Sequence, residues 1–269
     1  MRELIAAALH KLTSAQTRFL RLLRWHQDID APADLYESEP TIYWRSSQLG
    51  DGLDHYAVER PSDSNSGFRV VPTSSGIVWN ELSEQNFKSL WDSMEIEPIA
   101  HELLREASQL YYEGSYRSAL LMAATAVETA VKDHIGRLRP ETHWILQSLP
   151  SPPIEKILRN YIPVMHASHS DIDNWKLLSS LWKACGELFT ARNDTAHKGA
   201  VADAKAVQHH INTAKDILYV LDVLSGQSWA RSRVSSQLRH SLNWPAPVEL
   251  RGTVLFSAND WEIGRLLSS

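Results

Sequence analysis

The sequence predicts a mainly α protein built around an antiparallel helical bundle. Within residues 97–224, apolar residues recur every three or four positions, the spacing that places them on one face of a helix. Residues 41–79 differ, because short runs such as "TIYWRSS" and "FRVVP" are rich in β-branched and aromatic residues and are bounded by turn formers. We therefore expect three parts: a small α/β N-terminal region of unknown role (1–95), the bundle (96–226), and a tail (227–269) with a strand that could complete the N-terminal sheet.

The N-terminal region begins with a predicted helix from about Arg2 to Asp28, which the proline-rich and acidic segment "DIDAPADLYESEP" ends. Four strand-like segments follow it, and one more lies in the tail. These segments are "TIYWRSS", "HYAVERP", "FRVVP" and "GIVWN", and then "VELRGTVLFS". No motif in residues 1–95 indicates a function.

Five amphipathic segments form the predicted bundle. They are "EPIAHELLREASQLYY", "SYRSALLMAATAVETAVKDHI", "IEKILRNYIPVM", "NWKLLSSLWKACGELFTARNDTAH" and "DAKAVQHHINTAKDILYVLDVL". In the first, we expect the buried face to carry Ile99, Leu103, Ala107 and Leu110. Gly199 is a typical residue just after a helix end, and Asp203 is a typical N-cap for the last helix. After Gly226 the pattern becomes irregular.

Composition limits the functional classes. The chain has 269 residues, of which 43% are hydrophobic and 22% charged, and its formal net charge is −5. A protein that coats nucleic acid through bulk charge is therefore excluded, although a local basic site is not. We expect no membrane span, because no apolar run is long enough, and we interpret the N-terminal segment as a mature helix rather than a signal peptide. Cys185 is the single cysteine, which favours a reducing cytoplasm.

The decapeptide "TARNDTAHKG" stands out at the end of the fourth bundle helix. The apolar stripe of that helix passes through Leu181, Cys185 and Leu188, and three- to four-residue steps then reach Arg192 and Asn193. A buried guanidinium is costly unless it is paired, so we expect Arg192 either to contact a carboxylate or to face a groove that binds an anion. On its own helix, Glu128 lies at the edge of the apolar stripe and is a candidate carboxylate partner.

The order of these segments, from "LYYEGSYRSALLMAATAVETAV" to a helix ending in "RNDTAH" and a long closing helix, resembles a HEPN domain. The resemblance covers residues 96–226, about half of the chain. Ribonucleases of that family carry an arginine, often followed by a polar residue, and a histidine four to six residues further on. Arg192, Asn193 and His197 match this motif, with four residues between the arginine and the histidine.

The resemblance implies a metal-independent endoribonuclease of the toxin or phage-defence type, which needs no cofactor. RNA would be its substrate, a homodimer its assembly, and an antitoxin or sensor a possible partner. RNA supplies its own nucleophile, the 2′-hydroxyl, and histidine exchanges protons near neutral pH. His197 would move that proton, Arg192 would hold the phosphate bidentately, and Asn193 would orient His197 or bind a phosphate oxygen.

Neighbouring residues have supporting roles in this hypothesis, and a second interpretation stays open. Asp194 and Lys198 belong to the same helix end, and Lys198 adds positive charge or complements the helix C-terminus. In the alternative, Arg192 forms a structural ion pair and His197 only ends a helix. The protein would then be a catalytically silent HEPN module that binds a nucleotide or another protein.

The remaining histidines and the cysteine predict no further site. His166 and His169, and later His209 and His210, lack cysteine or carboxylate neighbours at a metal-binding spacing. We interpret them as loop and helix-surface residues and expect no metal. Cys185 lies on the apolar stripe, which is typical of an inert buried thiol.

Overall fold

The structure is a computed structural model, and it describes residues 2–28, 81–142, 148, 152–166, 172, 175–200 and 202–244. These residues are mainly helical, which confirms the predicted class, and they contain no strand. The strands expected within residues 41–79 and in "VELRGTVLFS" lie outside the described residues. None of the described helices is long and apolar enough to cross a membrane.

The chain divides into two compact units, and the first contains α1 (Arg2–Gln27) and most of α2 (Glu81–Asp92). The ring of Phe87 meets the ring of Phe19 edge to face, with centroids 5.2 Å apart, and it also lies near His26. Helix α1 agrees with the predicted range. Helix α2 was not predicted, because its short apolar stripe follows directly after strand-like segments.

The second unit, Leu90–Pro247, begins with α3 (Ile99–Tyr112) and α4 (Tyr116–Leu138). The predicted face of α3 is confirmed at Ala107 but is wrong by about one position at its N-terminal end. Ala100, Leu104 and Ala107 are buried, whereas Ile99 is 60% exposed. The physical reason is that alanines and a histidine share the buried face with Leu104, so the largest apolar side chains alone do not mark that face.

One short helical segment, α5, connects α4 to the second half of the bundle. It consists of an α-helical turn at Ile154–Lys156, a π-helix at Ile157–Tyr161 and a second α-helical turn at Ile162–Met165. Pro163 lies in the second turn and has no N–H to donate, and such a gap in the hydrogen bonding is compatible with a wider π-helical turn. Helix α5 packs against the helix that follows it.

Helix α6 (Ser179–Lys198) follows a 3₁₀ turn at Trp175–Leu178, and α7 (Ala204–Leu224) closes the bundle. As predicted, Asp203 is the N-cap of α7, and its carboxylate accepts a hydrogen bond of 2.9 Å from the N–H of Ala206. Every residue from Ile217 to Leu224 is buried. Because a helix that is buried on all sides lies at the centre of its domain, α7 is the core of the bundle, in contact with α3, α4 and α6.

Residues after Gly226 were expected to be irregular, and this expectation is wrong as far as the described residues extend. A 3₁₀ helix at Ser228–Ser232 leads into α8 (Ser236–Ser241). The carboxylate of Asp216 on α7 accepts hydrogen bonds from the N–H and the hydroxyl of Ser235, each 2.6 Å long. Because Ser235 is also the N-cap of α8, this contact attaches the short helix to the central one.

Candidate functional site

The candidate site lies at the C-terminal end of α6, and its position depends on how that helix ends. Gly199 adopts a left-handed conformation with φ of 66°, which an L side chain rarely adopts. The N–H groups of Gly199 and Ala200 both donate to the carbonyl of Asp194. As the sequence predicted, the chain therefore turns away directly after Lys198, and the last two turns of the helix carry the motif.

Arg192 and Asn193 are in direct contact. The Nη1 atom of Arg192 donates a hydrogen bond of 2.9 Å to the Oδ1 atom of Asn193. On an ideal helix, Arg192 and His197 are separated by roughly 140°, whereas Asn193 and His197 lie one turn apart on the same face. The contact with Asn193 therefore turns the guanidinium from the apolar stripe toward the face that carries His197.

Arg192 is half-buried, and the carboxylate partner that was one of its two expected contacts is absent among the described residues. Leu188 and Thr195, the residues one turn before and one turn after it, are buried. The long side chain of Arg192 leaves this stripe and ends at the polar surface, because an arginine can cover apolar area with its methylenes while its charge stays in water.

His197 is exposed, and no hydrogen bond or ion pair to another described residue fixes its ring. Asp194 and Lys198 form an ion pair of 2.7 Å across one helical turn at the surface. This pair neutralises Lys198, so the local positive charge at the motif comes from arginine. An exposed pair of this kind contributes little to stability.

Glu128 does not form the contact that was expected for it. Its carboxylate pairs with Lys132 on the same helix at 2.7 Å, and no ion pair joins it to Arg192 in the described part of the chain. The structure therefore gives Glu128 a partner within α4, and its supporting role in the motif stays a prediction.

Arg117, in the first turn of α4, was not singled out by the sequence. Its Nη2 atom lies 3.4 Å from the carbonyl oxygen of Thr195, which stands between Arg192 and His197 in the motif. A second arginine from another helix therefore reaches the end of α6. The sequence alone could not indicate this, because the contact requires that the start of α4 lies beside the end of α6, 78 residues later.

A second polar cluster surrounds a cavity of about 30 Å³ between α3, α4 and α7. His101 and Asp222 form a buried pair of 2.9 Å on one side of it. On the other side, His134 contacts Ser225 through Nδ1 at 3.0 Å and His166 through Nε2 at 2.9 Å. A cavity of this size holds one or two water molecules.

The hydrogen bonds of this cluster have a defined direction. The hydroxyl of Ser225 donates to the carbonyl of Leu221 at 2.9 Å, so it accepts from Nδ1–H of His134. The Nε2 atom of neutral His134 is then an acceptor, and His166 donates to it. Burial, the neighbouring His166 and the positive charge of Arg137 lower the pKa of His134 to about 3, which agrees with a neutral ring.

The structure corrects two expectations about the positions of histidines. His166 was interpreted as a loop residue and His210 as a helix-surface residue, but both are buried. Burial also lowers the pKa of His210, with a further contribution from His209, which is exposed. His169 lies outside the described residues. Within the described ranges, no three histidine, cysteine or carboxylate side chains converge as metal ligands.

Cys185 is fully buried on α6, in agreement with the expectation of an inert thiol. Burial raises its pKa to about 12, with a further contribution from Glu155. A thiol with such a pKa is almost entirely protonated near neutral pH, and only the thiolate is a good nucleophile. Cys185 is therefore a packing residue of the bundle.

The motif at the end of α6 thus lies at the surface, and the histidine cluster lines a small, partly open pocket between α3, α4 and α7. Comparisons with protein-family models, with curated proteins and with solved structures find no match for this chain.

Proposed function

We propose that this protein is a metal-independent endoribonuclease of the HEPN type, with Arg192, Asn193 and His197 as its catalytic residues. The observation that carries the proposal is the hydrogen bond from Arg192 to Asn193. It joins the arginine to the helix face of His197, at an exposed helix end where an RNA backbone has access. A role in a toxin–antitoxin or phage-defence system, in the cytoplasm, belongs to the same proposal.

The proposed reaction is a transesterification within the RNA. His197 takes the proton of a 2′-hydroxyl, and the 2′-oxygen forms a bond to the adjacent phosphorus. The bond from phosphorus to the 5′-oxygen breaks, and that oxygen receives a proton as it leaves. Arg192 contacts the phosphate oxygens, on which negative charge grows in the transition state. The products are a 2′,3′-cyclic phosphate and a 5′-hydroxyl.

The exposed position of His197 supports a homodimer as the active form. No described residue of the same chain orients its ring, and a second copy could supply the missing contact. If a cleft combines Arg192 of one copy with His197 of the other, a mixed dimer has one Arg192→Ala subunit and one His197→Ala subunit. Such a dimer retains one cleft in which both residues are wild type. We expect such mixtures to recover cleavage activity that neither variant has alone.

Cleavage of total RNA in the presence of EDTA tests the activity. Wild type should cleave and leave cyclic phosphate ends, whereas Arg192→Ala and His197→Ala should lose at least about 100-fold in rate. The matched control is His240→Ala, which removes an exposed histidine from α8. All three variants should melt like wild type, because the side chains that they truncate are at least partly exposed.

A catalytically silent module is the second candidate, and one observation favours it. None of the described residues gives the imidazole of His197 the orienting hydrogen bond that general bases commonly have. If purified wild type leaves RNA intact with and without EDTA, and still binds RNA or a nucleotide, the silent module is the better description. Loss of folding in Arg192→Ala would assign that arginine to the structure rather than to the reaction.

A further inference from the structure

Arg117 and Arg192 differ from the other arginines on the helices of the bundle. Of the arginines on α3 to α6, three have carboxylate partners: Arg105 pairs with Glu97, Arg137 with Asp133, and Arg159 with Glu155. Arg117 and Arg192 form no such ion pair within the described part of the chain. Both lie at the end of α6, although they come from different helices.

The contacts of these two arginines leave most of their donors available. Arg192 donates to a side-chain amide and Arg117 to a backbone carbonyl, and neither acceptor carries a full charge. A guanidinium has five N–H donors arranged in a plane, which suits the oxygens of a phosphate. Arg117 is also exposed, so a ligand reaches it without rearrangement of the bundle.

A purely structural role for Arg117 is the competing explanation, because a cation near a helix C-terminus stabilises that helix. The contact with Thr195 is weak evidence for it. At 3.4 Å it is longer than ordinary N–H···O hydrogen bonds, and Arg117 as a whole is exposed. The carbonyl of Asp194 already accepts from Gly199 and Ala200, so the helix end has other stabilising contacts.

The charge of the whole protein makes a local cluster necessary for RNA binding. The net charge is −5, and Asp194 neutralises Lys198. The guanidinium groups of Arg117 and Arg192 therefore supply the fixed positive charge of this helix end. A single arginine can hold the scissile phosphate, but a polynucleotide presents neighbouring phosphates as well.

We propose that Arg117 is a second phosphate-binding residue of this site and holds the backbone of single-stranded RNA beside the scissile phosphate. The proposal rests on the proposed RNA-directed function of Arg192 and His197. It adds a residue from α4, outside the R-x4-H motif, and makes the binding surface span two helices.

Binding rather than cleavage tests this proposal. In a His197→Ala background, which leaves the RNA intact, the affinity for a fluorescent single-stranded RNA is measured over a range of salt concentrations. Arg117→Ala should weaken binding roughly five- to tenfold and reduce the salt dependence of log K by about 0.7, the contribution of one phosphate contact. Arg117→Lys keeps the charge and should keep the salt dependence.

The matched control is Arg159→Ala, since Arg159 is an exposed arginine on α5 that pairs with Glu155 across one helical turn. Arg159→Ala should change neither the RNA affinity nor the salt dependence of log K. If Arg117→Ala binds RNA with unchanged affinity and salt dependence, the proposal is overturned. A lowered melting temperature in that variant would then show that Arg117 stabilises the C-terminal end of α6.

The proposed nuclease activity and the proposed binding role of Arg117 are overturned by different results. If wild type does not cleave RNA but Arg117→Ala weakens binding as described, the nuclease is overturned and the binding role of Arg117 stands. If wild type cleaves and Arg117→Ala binds normally, only the role of Arg117 is overturned. If the His197→Ala protein does not bind RNA at all, the role of Arg117 is also overturned.

Discussion

The Nε2 atom of His134 lies 2.9 Å from the Nε2 atom of His166, and both rings are buried and stacked, with centroids 5.1 Å apart. Only one of these two nitrogen atoms can carry the shared proton. The pair links α4 to the end of α5, and Ser225 extends it to the end of α7. A neutral His134 is therefore a condition of the native packing.

Acidification should destabilise the bundle through His134. The pKa of this ring is about 3 in the folded protein and 6.5 in the unfolded chain. Below pH 6.5 the unfolded chain therefore binds a proton that the folded protein does not, and stability is lost as the pH falls. Urea unfolding at pH 7 and pH 5 should show a loss of about 2 kcal/mol from this group.

His134→Gln tests the origin of this effect, because glutamine does not titrate. Its free energy of unfolding should depend less on pH over the same interval, whatever its absolute stability. His240→Gln is the control and should keep the wild-type pH dependence. Equal pH dependence in all three proteins would show that the His134–His166 contact does not control the acid response.

Loss of the His101–Asp222 pair should lower the free energy of unfolding. Asp222→Asn removes the charge of a buried carboxylate that contacts a buried imidazole, so we expect a destabilisation of about 2 to 4 kcal/mol in urea unfolding. Glu187→Gln is the surface control, since Glu187 lies 3.8 Å from Lys183 with both side chains exposed. It should change stability by less than about 0.5 kcal/mol. Similar effects of both substitutions would contradict a stabilising buried pair.

Cys185 should resist alkylation in the folded protein. Its pKa is raised from 9.0 to about 12, so the thiolate fraction at pH 8 is lower by roughly a thousandfold than in the unfolded chain. Burial also blocks access. Iodoacetamide labelling followed by mass spectrometry should therefore be rapid in urea and very slow in buffer. Fast labelling of the native protein would mean that α6 opens readily.

The end of α6 should be sensitive to the residue at position 199. A Cβ atom on Gly199 would meet no atom within 4 Å, so the cost of Gly199→Ala is the left-handed backbone alone. We expect a loss of about 1 kcal/mol in thermal or urea unfolding.

Gly186→Ala in the same helix is the contrasting variant. Its Cβ would lie 3.0 Å from a carboxylate oxygen of Glu155, a flexible and partly exposed side chain that can shift. Because alanine favours a helix interior over glycine, the change should stay within about 0.5 kcal/mol. If Gly199→Ala is as stable as wild type, the left-handed cap does not determine where α6 ends.

Local patterns predicted the helices well, because their causes are local. In α7, for example, Val207, Ile211, Ala214, Leu218 and Leu221 follow one another at helical spacings of three or four residues, and all five are buried. In α3 the apolar pattern placed the buried face about one position away at the N-terminal end. The alanines near Ile99 make two neighbouring faces of the helix similarly apolar. The orientation of Arg192 toward Asn193 also needed the structure, since a long side chain can point to either face from the same backbone position.

Contacts between distant segments could not be predicted from one sequence. Arg117 reaches Thr195 across 78 residues, and His101 reaches Asp222 across 121. Such pairs depend on which helix ends meet in the bundle, which periodicity does not specify. The motif from Arg192 to His197 was identified because its residues are consecutive on one helix.

The central position of α7 has a consequence for biosynthesis. The helix that α3, α4 and α6 pack against follows all three of them in the chain, so they leave the ribosome before the helix that covers part of their apolar surface. Premature termination before Ala204 would yield a chain that contains most of the apolar surface and lacks the element that buries it. Such fragments should aggregate or be degraded rather than persist as a smaller folded domain.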